Sequence, residues 1–329
     1  MHGFTLDDLD DAVRQVRTVL PPTPQYRWPL LSARLGTETW VKHENHTPLG
    51  AFKIRGGVVY MAALKTAHPE LRGVIAATRG NHGQSVAFAA RLAGLTATIV
   101  VPFGNSVEKN AAMRALGAEL IEHGHDFQAA FEHARTLAAD RGLHFVESFA
   151  PDLVRGVASY ALELFRGADP LDRVYVPIGL GSGICGVIAA RDALGLKTEI
   201  FGVVAEQAAA YALSFAAGRP ISTNSAETLA DGMACRVPNQ GALSMILKGA
   251  AGIVTVSEAE IQAAMRHYFT DTHNIAEGAG ASPLAAALKE RERNVGKRIG
   301  LVLSGGNVDR AVFARVLAEP DGKQTRTAE

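Results

Sequence analysis

Lys53 stands in the string TPLGAFKIRGG, between Phe52 and Ile54 and with glycines at 50, 56 and 57. Glycines let other groups approach the backbone closely, and Phe52 is a flat apolar neighbour. A lysine desolvated in such surroundings has a lowered pKa and becomes an amine nucleophile towards an aldehyde. The plain alternative is a surface lysine on the first turn of a helix. Three further loops carry related chemistry. In TRGNHGQ (78–84), Gly80 and Gly83 open the first amides of a helix to an anion. Asn81 offers a donor and an acceptor to a ring hydroxyl, although a capping turn would read the same way. In GLGSGICG (179–186), the amides and the Ser182 hydroxyl fit a phosphate cradle. In LSGGN (303–307), Ser304 ends a strand and fits either a simple turn or a hydroxyl facing a ring nitrogen.

Gly181, Gly183 and Gly186 also satisfy G-x-G-x-x-G, and Glu206 follows Gly186 by 20 residues, where a ribose-binding carboxylate would stand. An NAD-dependent dehydrogenase or an NAD-sensing module is therefore one reading. The four loops together favour another. They supply an amine for an aldehyde, a partner for a ring hydroxyl, a phosphate cradle and a hydroxyl for a pyridine nitrogen. That set matches pyridoxal 5′-phosphate, whereas a nicotinamide dinucleotide has no use for Lys53.

Alternating strands and helices must position these loops. Short apolar runs of buried-strand type occur at 73–78, 97–102, 118–123 and 144–148, with helical patterns at 55–67, 82–94, 106–116 and 126–141. A second series of strands lies at 173–179, 199–205, 252–257 and 298–307, and the run 37–44 is expected to join it. The pattern predicts an α/β protein with two parallel-sheet domains. A small domain, 54–148, is inserted in a larger one formed by 1–53 and 149–317, and a polar tail, 318–329, is expected to fray. Ligands favour the cleft between such domains and the carboxyl ends of parallel strands.

Composition narrows the function. Of 329 residues, 33 are basic and 33 acidic, which offers nucleic acid or an anionic membrane no electrostatic footprint. No apolar run reaches the roughly 18 residues of a transmembrane helix, and the acidic, amphipathic N-terminus resembles no signal or transit peptide. Two cysteines, Cys185 and Cys235, suit a reducing cytoplasm. His43 with His46, the HGH string at 123–125, and His267 with His273 lack the third ligand of a zinc site and read as loop or strand-end residues. Cys185 reads as a small buried residue rather than a nucleophile.

The ordered motifs resemble the fold-type II pyridoxal-phosphate enzymes, in particular the serine/threonine dehydratase group, over roughly residues 20–317. HENHTPLGAFKIRGG resembles the lysine motif, TRGNHGQ the substrate-carboxylate loop, PIGLGSGICG the phosphate loop and SGGN the ring-nitrogen motif. ETLADGMA (227–234) and EGAGASPLAAAL (277–288) are similar to further family segments. The resemblance implies a tryptophan synthase β-like fold with its active site in the interdomain cleft. It implies that Lys53 condenses with the cofactor aldehyde and later takes the substrate α-proton, with Phe52 lining the ring. Asn81 would bond the ring hydroxyl, Ser304 the pyridine nitrogen, and Gly179, Leu180, Gly181, Ser182 and Gly183 would surround the phosphate. Thr78, Gly80 and His82 would hold the substrate carboxylate through their amides, beside Arg79. The implied activity is β-elimination from a 3-hydroxy amino acid, giving a 2-oxo acid and ammonia. The alternatives within this chemistry are a β-replacement synthase and a racemase. A homodimer is also implied.

The chain departs from the family pattern in places. Ala51 replaces a common serine, Thr78-Arg79 stands where Ser-Ser or Ser-Ala is usual, and Leu180 and Ser182 interrupt the glycine run. A guanidinium at position 79 is a poor proton donor, which disfavours racemisation. Arg79 instead suits a second carboxylate, as in 3-hydroxyaspartate, an aromatic ring, as in phenylserine, or an acidic side chain of the protein itself. Glu206 matches a cation-binding glutamate of the family, but Ala212 replaces an aspartate partner, so a monovalent cation, a divalent cation or none fits. The few residues beyond 317 fit no regulatory domain, so isoleucine control is not expected.

Overall fold

The structure, a computed structural model, describes residues 3–320. The polar tail expected to fray lies, from residue 321 onward, outside the described residues. Among the described residues, ten strands fall into two sheets. The smaller contains β3 (Gly73–Ala77), β4 (Thr96–Val101), β5 (Glu119–Glu122) and β6 (His144–Phe145), in the order β5-β4-β3-β6 and parallel throughout. The larger contains β1 (Gln25–Arg27), β2 (Glu38–His43), β7 (Arg173–Pro177), β8 (Glu199–Ala205), β9 (Gly252–Val256) and β10 (Arg298–Leu303). Its order is β1-β2-β10-β7-β8-β9, and only the edge strand β1 runs antiparallel. The expected run at 37–44 does join this sheet, as β2 beside β10.

Parallel strands covered on both faces are apolar along their whole length, and all five residues of β3 are buried. The two faces of the larger sheet alternate as the strand period requires. Val174, Val176, Val204 and Val302 enter one core with the helices Pro151–Gly167 and Ser182–Ala193, while Tyr175, Val203, Leu301 and Leu303 enter the other with Gly278–Lys289. The strands expected at 144–148 and 298–307 are shorter, ending at Phe145 and Leu303. The second stops because Ser304-Gly305-Gly306 leaves the sheet to pair with another loop: Ala51 and Gly305 form an isolated antiparallel bridge.

The helix Gly278–Lys289 is buried almost end to end and contains Pro283. Proline removes the N–H that would reach the carbonyl of Ala279. The Ser282 hydroxyl donates to that carbonyl instead, at 3.0 Å. The helix therefore survives its proline and holds Glu277 at its start. Among the described residues no helix is long and apolar enough to cross a membrane.

Candidate active site

Lys53 is the first residue of the helix Lys53–Ala67, which no side chain caps. Its amine lies 3.1 Å from the Ser182 Oγ, so the lysine loop and the glycine loop meet directly. Burial pushes the Lys53 pKa down to about 8, against the opposing pull of the Glu277 carboxylate. The surface-lysine alternative therefore fails on geometry. Gly56 and Gly57 have a different use from the one expected. A Cβ on Gly56 would lie 2.8 Å from the Leu153 carbonyl oxygen, and one on Gly57 2.2 Å from the Ser85 Oγ. They let the lysine helix pack on its neighbours, and the Ser85 hydroxyl donates to the Lys53 carbonyl at 2.6 Å. Phe52 packs edge-on against Tyr160, with ring centroids 6.0 Å apart, and lies beside Gly183.

The loop Thr78–Gly80 follows β3 and leads into the helix Asn81–Leu92. Thr78 is buried, and its Oγ1 accepts from the Gly80 N–H at 3.0 Å. No side chain caps this helix, so its first amides have no protein partner from the cap position. A Cβ on Gly80 would lie 2.6 Å from the Lys109 Cδ, which places the lysine stem against the loop. His82 is buried, and its Nε2 has no hydrogen-bond partner. Desolvation, with the Lys53 ammonium acting in the same direction, lowers its pKa to about 3, so the imidazole is neutral at physiological pH. Arg79 is exposed and makes no ion pair among the described residues.

The glycine loop leads from β7 into the helix Ser182–Ala193, again with no capping side chain. Gly181 adopts φ +102°, and a Cβ there would lie 2.6 Å from the Ala242 Cβ. A Cβ on Gly179 would lie 2.2 Å from the Gly232 carbonyl oxygen. The Leu180 and Gly183 carbonyls accept from the Tyr211 and Tyr160 hydroxyls, at 2.9 and 3.2 Å. Carbonyls are thus engaged on the protein side, while the amides at the helix start are left for an anion. Cys185 lies within this helix, fully buried, and burial pushes its thiol far above the ordinary range, as suits a structural residue.

The loop after β10 completes the site. The Phe52 N–H donates to the Ser304 carbonyl at 3.0 Å, the Gly306 N–H to Gly50 at 2.9 Å, and the Glu277 N–H to Gly305 at 3.1 Å. Ser304 is buried there. Asn81 reaches the same loop: its Oδ1 accepts from the Asn307 Nδ2 at 2.8 Å, and its Nδ2 donates to the Glu277 Oε1 at 2.7 Å. Glu277 is buried, and its Oε2 has no hydrogen-bond partner. Burial raises its pKa above the usual carboxylate range against the pull of Lys109. The Lys109 amine lies 2.5 Å from Asp231 and 3.7 Å from Glu277; burial opposes its charge, but the two carboxylates outweigh that and raise its pKa. Asp231, Glu277 and Asn307 lie within the family-like segments ETLADGMA, EGAGASPLAAAL and LSGGN, but neither they nor Lys109 were assigned a role from the sequence. The structure assembles the four expected loops and adds these residues.

Glu206 is exposed at the end of β8, at the start of a single helical turn, Glu206–Ala208. Among the described residues no group of three or more His, Cys, Asp or Glu side chains could hold a metal ion. The third glycine of the fingerprint, Gly186, packs against Val157 and Ala158 of the helix Pro151–Gly167.

The residues present fit the expected cofactor. A depressed lysine amine, two uncapped helix starts, and two buried polar atoms without hydrogen-bond partners (His82 Nε2 and Glu277 Oε2) border the same loops. Comparison with known proteins agrees. A family model described as "Pyridoxal-phosphate dependent enzyme" matches residues 16–305. The chain is 34% identical to the L-threonine ammonia-lyase of Thermotoga maritima, covering 95% of this chain and 78% of that one. It is 31% identical to the L-threo-3-hydroxyaspartate ammonia-lyase of Saccharomyces cerevisiae, covering 95% and 96%. The processed form of threonine deaminase isoform 2 from Solanum lycopersicum superposes with a TM-score of 0.87 at 30% identity, covering 96% of this chain and 95% of that one.

Proposed function

The chain belongs to the family of pyridoxal-phosphate dependent enzymes, and we propose that it is a dehydratase converting a 3-hydroxy amino acid to a 2-oxo acid and ammonia. The observation that carries this reading is the Lys53 amine, which meets the glycine loop at Ser182 with its pKa lowered to about 8. The NAD reading falls with the family match: one phosphate accounts for the glycine loop, and Gly186 serves helix packing.

When bound, pyridoxal phosphate supplies an aldehyde for the lysine amine and a ring that takes up electron density from the substrate α-carbon. The protein supplies everything else. The Lys53 Nζ takes the α-proton, and its lowered pKa keeps enough of it neutral near pH 8 to do so. Of the amides expected to hold the substrate carboxylate, the uncapped His82 N–H is left for it, whereas the Thr78 and Gly80 N–H groups already donate to the Val100 carbonyl and the Thr78 Oγ1. Asn81 would meet the ring hydroxyl and Ser304 the ring nitrogen, and Phe52 would line the ring. Gly179, Leu180, Gly181, Ser182 and Gly183 enclose the phosphate. Loss of the β-hydroxyl as water leaves an enamine. Its imine form takes up one water and releases ammonia and the 2-oxo acid, so water balances overall.

Segment 54–148 acts as the small domain over a larger one made of 1–53 and 149–317, with the site in the cleft. The separate four-stranded sheet within 73–145 supports that division, and the Lys109–Asp231 and Asn81–Glu277 contacts cross the cleft. A cytoplasmic location is supported by two free, buried cysteines. A homodimer is part of this reading through the family resemblance. A cation at Glu206 would need ligands from outside the protein side chains named above.

The exposed, unpaired Arg79 favours a substrate with a second carboxylate, and hence 3-hydroxyaspartate over threonine or serine. A panel of serine, threonine, 3-hydroxyaspartate and phenylserine isomers, scored for 2-oxo acid and ammonia, tests both statements. Racemisation, or product that forms only with an added thiol, would replace the dehydratase reading.

A further inference from the structure

Asn81 has two side-chain donors and two acceptor positions, and which end of its amide faces which neighbour decides what it can offer a ligand. That orientation follows from a chain of contacts. The Leu49 carbonyl can only accept, and it lies 2.7 Å from the Asn307 Nδ2. The Asn307 NH2 group therefore faces Leu49, and its other hydrogen donates to the Asn81 Oδ1 at 2.8 Å. The Asn81 NH2 group is then turned to Glu277, whose Oε1 accepts one of its two hydrogens at 2.7 Å. Reversing Asn81 would set two NH2 groups against each other and an amide oxygen against a carboxylate. One Asn81 N–H remains uncommitted.

Two glycines make room for this arrangement. A Cβ on Gly50, which has φ +65°, would lie 2.4 Å from the Asn307 Oδ1, and a Cβ on Gly305 would lie 2.6 Å from the Glu277 Oε1. Glu277 is in turn held by its own N–H, bonded to Gly305, and by Lys109 beyond its free oxygen.

We propose that Glu277 and Asn307 are positioning residues that lock the Asn81 carboxamide with one N–H free for the cofactor's ring hydroxyl, and that Gly50 and Gly305 are glycines because that lock needs their space. The proposal rests on the reading that Asn81 meets the ring hydroxyl. It gives Asn307 and Glu277 a function that acts through Asn81.

The test is a set of dissociation constants for pyridoxal phosphate, measured by fluorescence titration of the apoprotein, with its melting temperature as a second readout. Asn307→Asp keeps the shape but turns an acceptor towards Asn81. It weakens affinity about tenfold, the loss of about one hydrogen bond, and also lowers the melting temperature, because the new carboxylate faces the Leu49 carbonyl. Glu277→Gln keeps an acceptor for Asn81 and stays within about twofold. Gly305→Ala, which displaces Glu277 without touching Asn307, weakens affinity as Asn307→Asp does. Both losses vanish in an Asn81→Ala background, because the lock acts only through Asn81. Equal losses with and without Asn81 would show a general structural role and overturn the proposal. Full affinity in Asn307→Asp and Gly305→Ala, with loss in Asn81→Ala, would overturn the lock and leave the Asn81 reading standing. Full affinity in Asn81→Ala would remove that reading, and the lock with it.

Discussion

Lys53 and Arg55 stand two residues apart on the first turn of one helix, and their surroundings treat them in opposite ways. Arg55 is fully buried, and all three of its guanidinium nitrogens are engaged. Its Nε and Nη2 bond Glu44 at 2.7 and 3.0 Å, its Nη1 bonds Glu163 and Ser159 at 2.8 and 3.0 Å, and its Nη2 also meets Thr23. Lys42, equally buried, donates to Glu163 at 2.6 Å and to the Thr23 carbonyl at 2.8 Å. Around Lys53 less is matched: its amine contacts Ser182, and a His82 nitrogen and a Glu277 oxygen lack hydrogen-bond partners. Burying a charge is tolerable when every bond is made. The Arg55 cluster meets that condition and anchors the lysine helix to the end of β2 and to the helix Pro151–Gly167. The Lys53 site leaves its bonds open for a ligand, and its titrating groups are displaced as a result.

The strongest way to break this contrast is Lys53→Ala. If the open site carries the chemistry, 2-oxo acid release falls by roughly 10³-fold or more, while the apoprotein keeps its melting temperature or gains a little. Substantial residual elimination would remove Lys53 as the base. The pH dependence sharpens the same comparison. With its folded pKa at about 8 against an ordinary 10.5, Lys53 is proton-poor in the folded chain and proton-rich in the unfolded one between those values. Apoprotein stability therefore rises with pH from about 8 to 10.5, and Lys53→Ala flattens that slope. Glu163 behaves with the opposite sense. Burial works against its charge, but Arg55 and Lys42 outweigh burial and lower its pKa below 4.5. Its contribution is present above that pH and lost as the pH falls further.

Arg55→Met attacks the closed cluster. Glu44 and Glu163 then stay buried without their main partner, and breaking such a pair costs about 3–5 kcal/mol. The denaturation midpoint should fall accordingly, while the molecules that remain folded keep their substrate KM. A variant with full stability and altered KM would mean that Arg55 belongs to the site rather than to its support.

The two regions also differed in how far the sequence disclosed them. The open site was legible because each of its loops is a contiguous string in which glycines flank one chemically distinctive residue: Lys53, Asn81, Ser182 and Ser304. The buried strands were legible from unbroken apolar runs such as GVIAA. The edge strand β1, the polar string QYR among prolines, offered no such run. Neither charge cluster could be seen, for a physical reason. Glu163 meets Arg55 across 108 residues, and Asn307 meets Asn81 across 226, and contacts at such separations leave no local periodicity. The glycines were visible, but their purpose was not. Gly57 makes room for Ser85 and Gly305 for Glu277, where spacing suggested only access for a ligand. Pro283 would ordinarily end a helix, and only Ser282 at the right carbonyl explains why it does not.

The smallest expected effect belongs to a residue in neither cluster. Arg79 lies in the loop Thr78–Gly80, proposed to hold the substrate carboxylate, but is exposed, with no acidic partner among the described residues. An exposed guanidinium contributes little to stability, so Arg79→Ala should leave the melting temperature unchanged. Its effect should be confined to one substrate. A charge-assisted hydrogen bond to a second carboxylate is worth about 1.5 kcal/mol or more, which is roughly a tenfold loss of kcat/KM for 3-hydroxyaspartate. Serine and threonine, which carry nothing for Arg79 to hold, should stay within about twofold. An equal loss on all substrates would move Arg79 into the general carboxylate site. No loss on any would return it to the solvated surface, and the choice among hydroxy amino acids would then rest with the buried walls of the cleft.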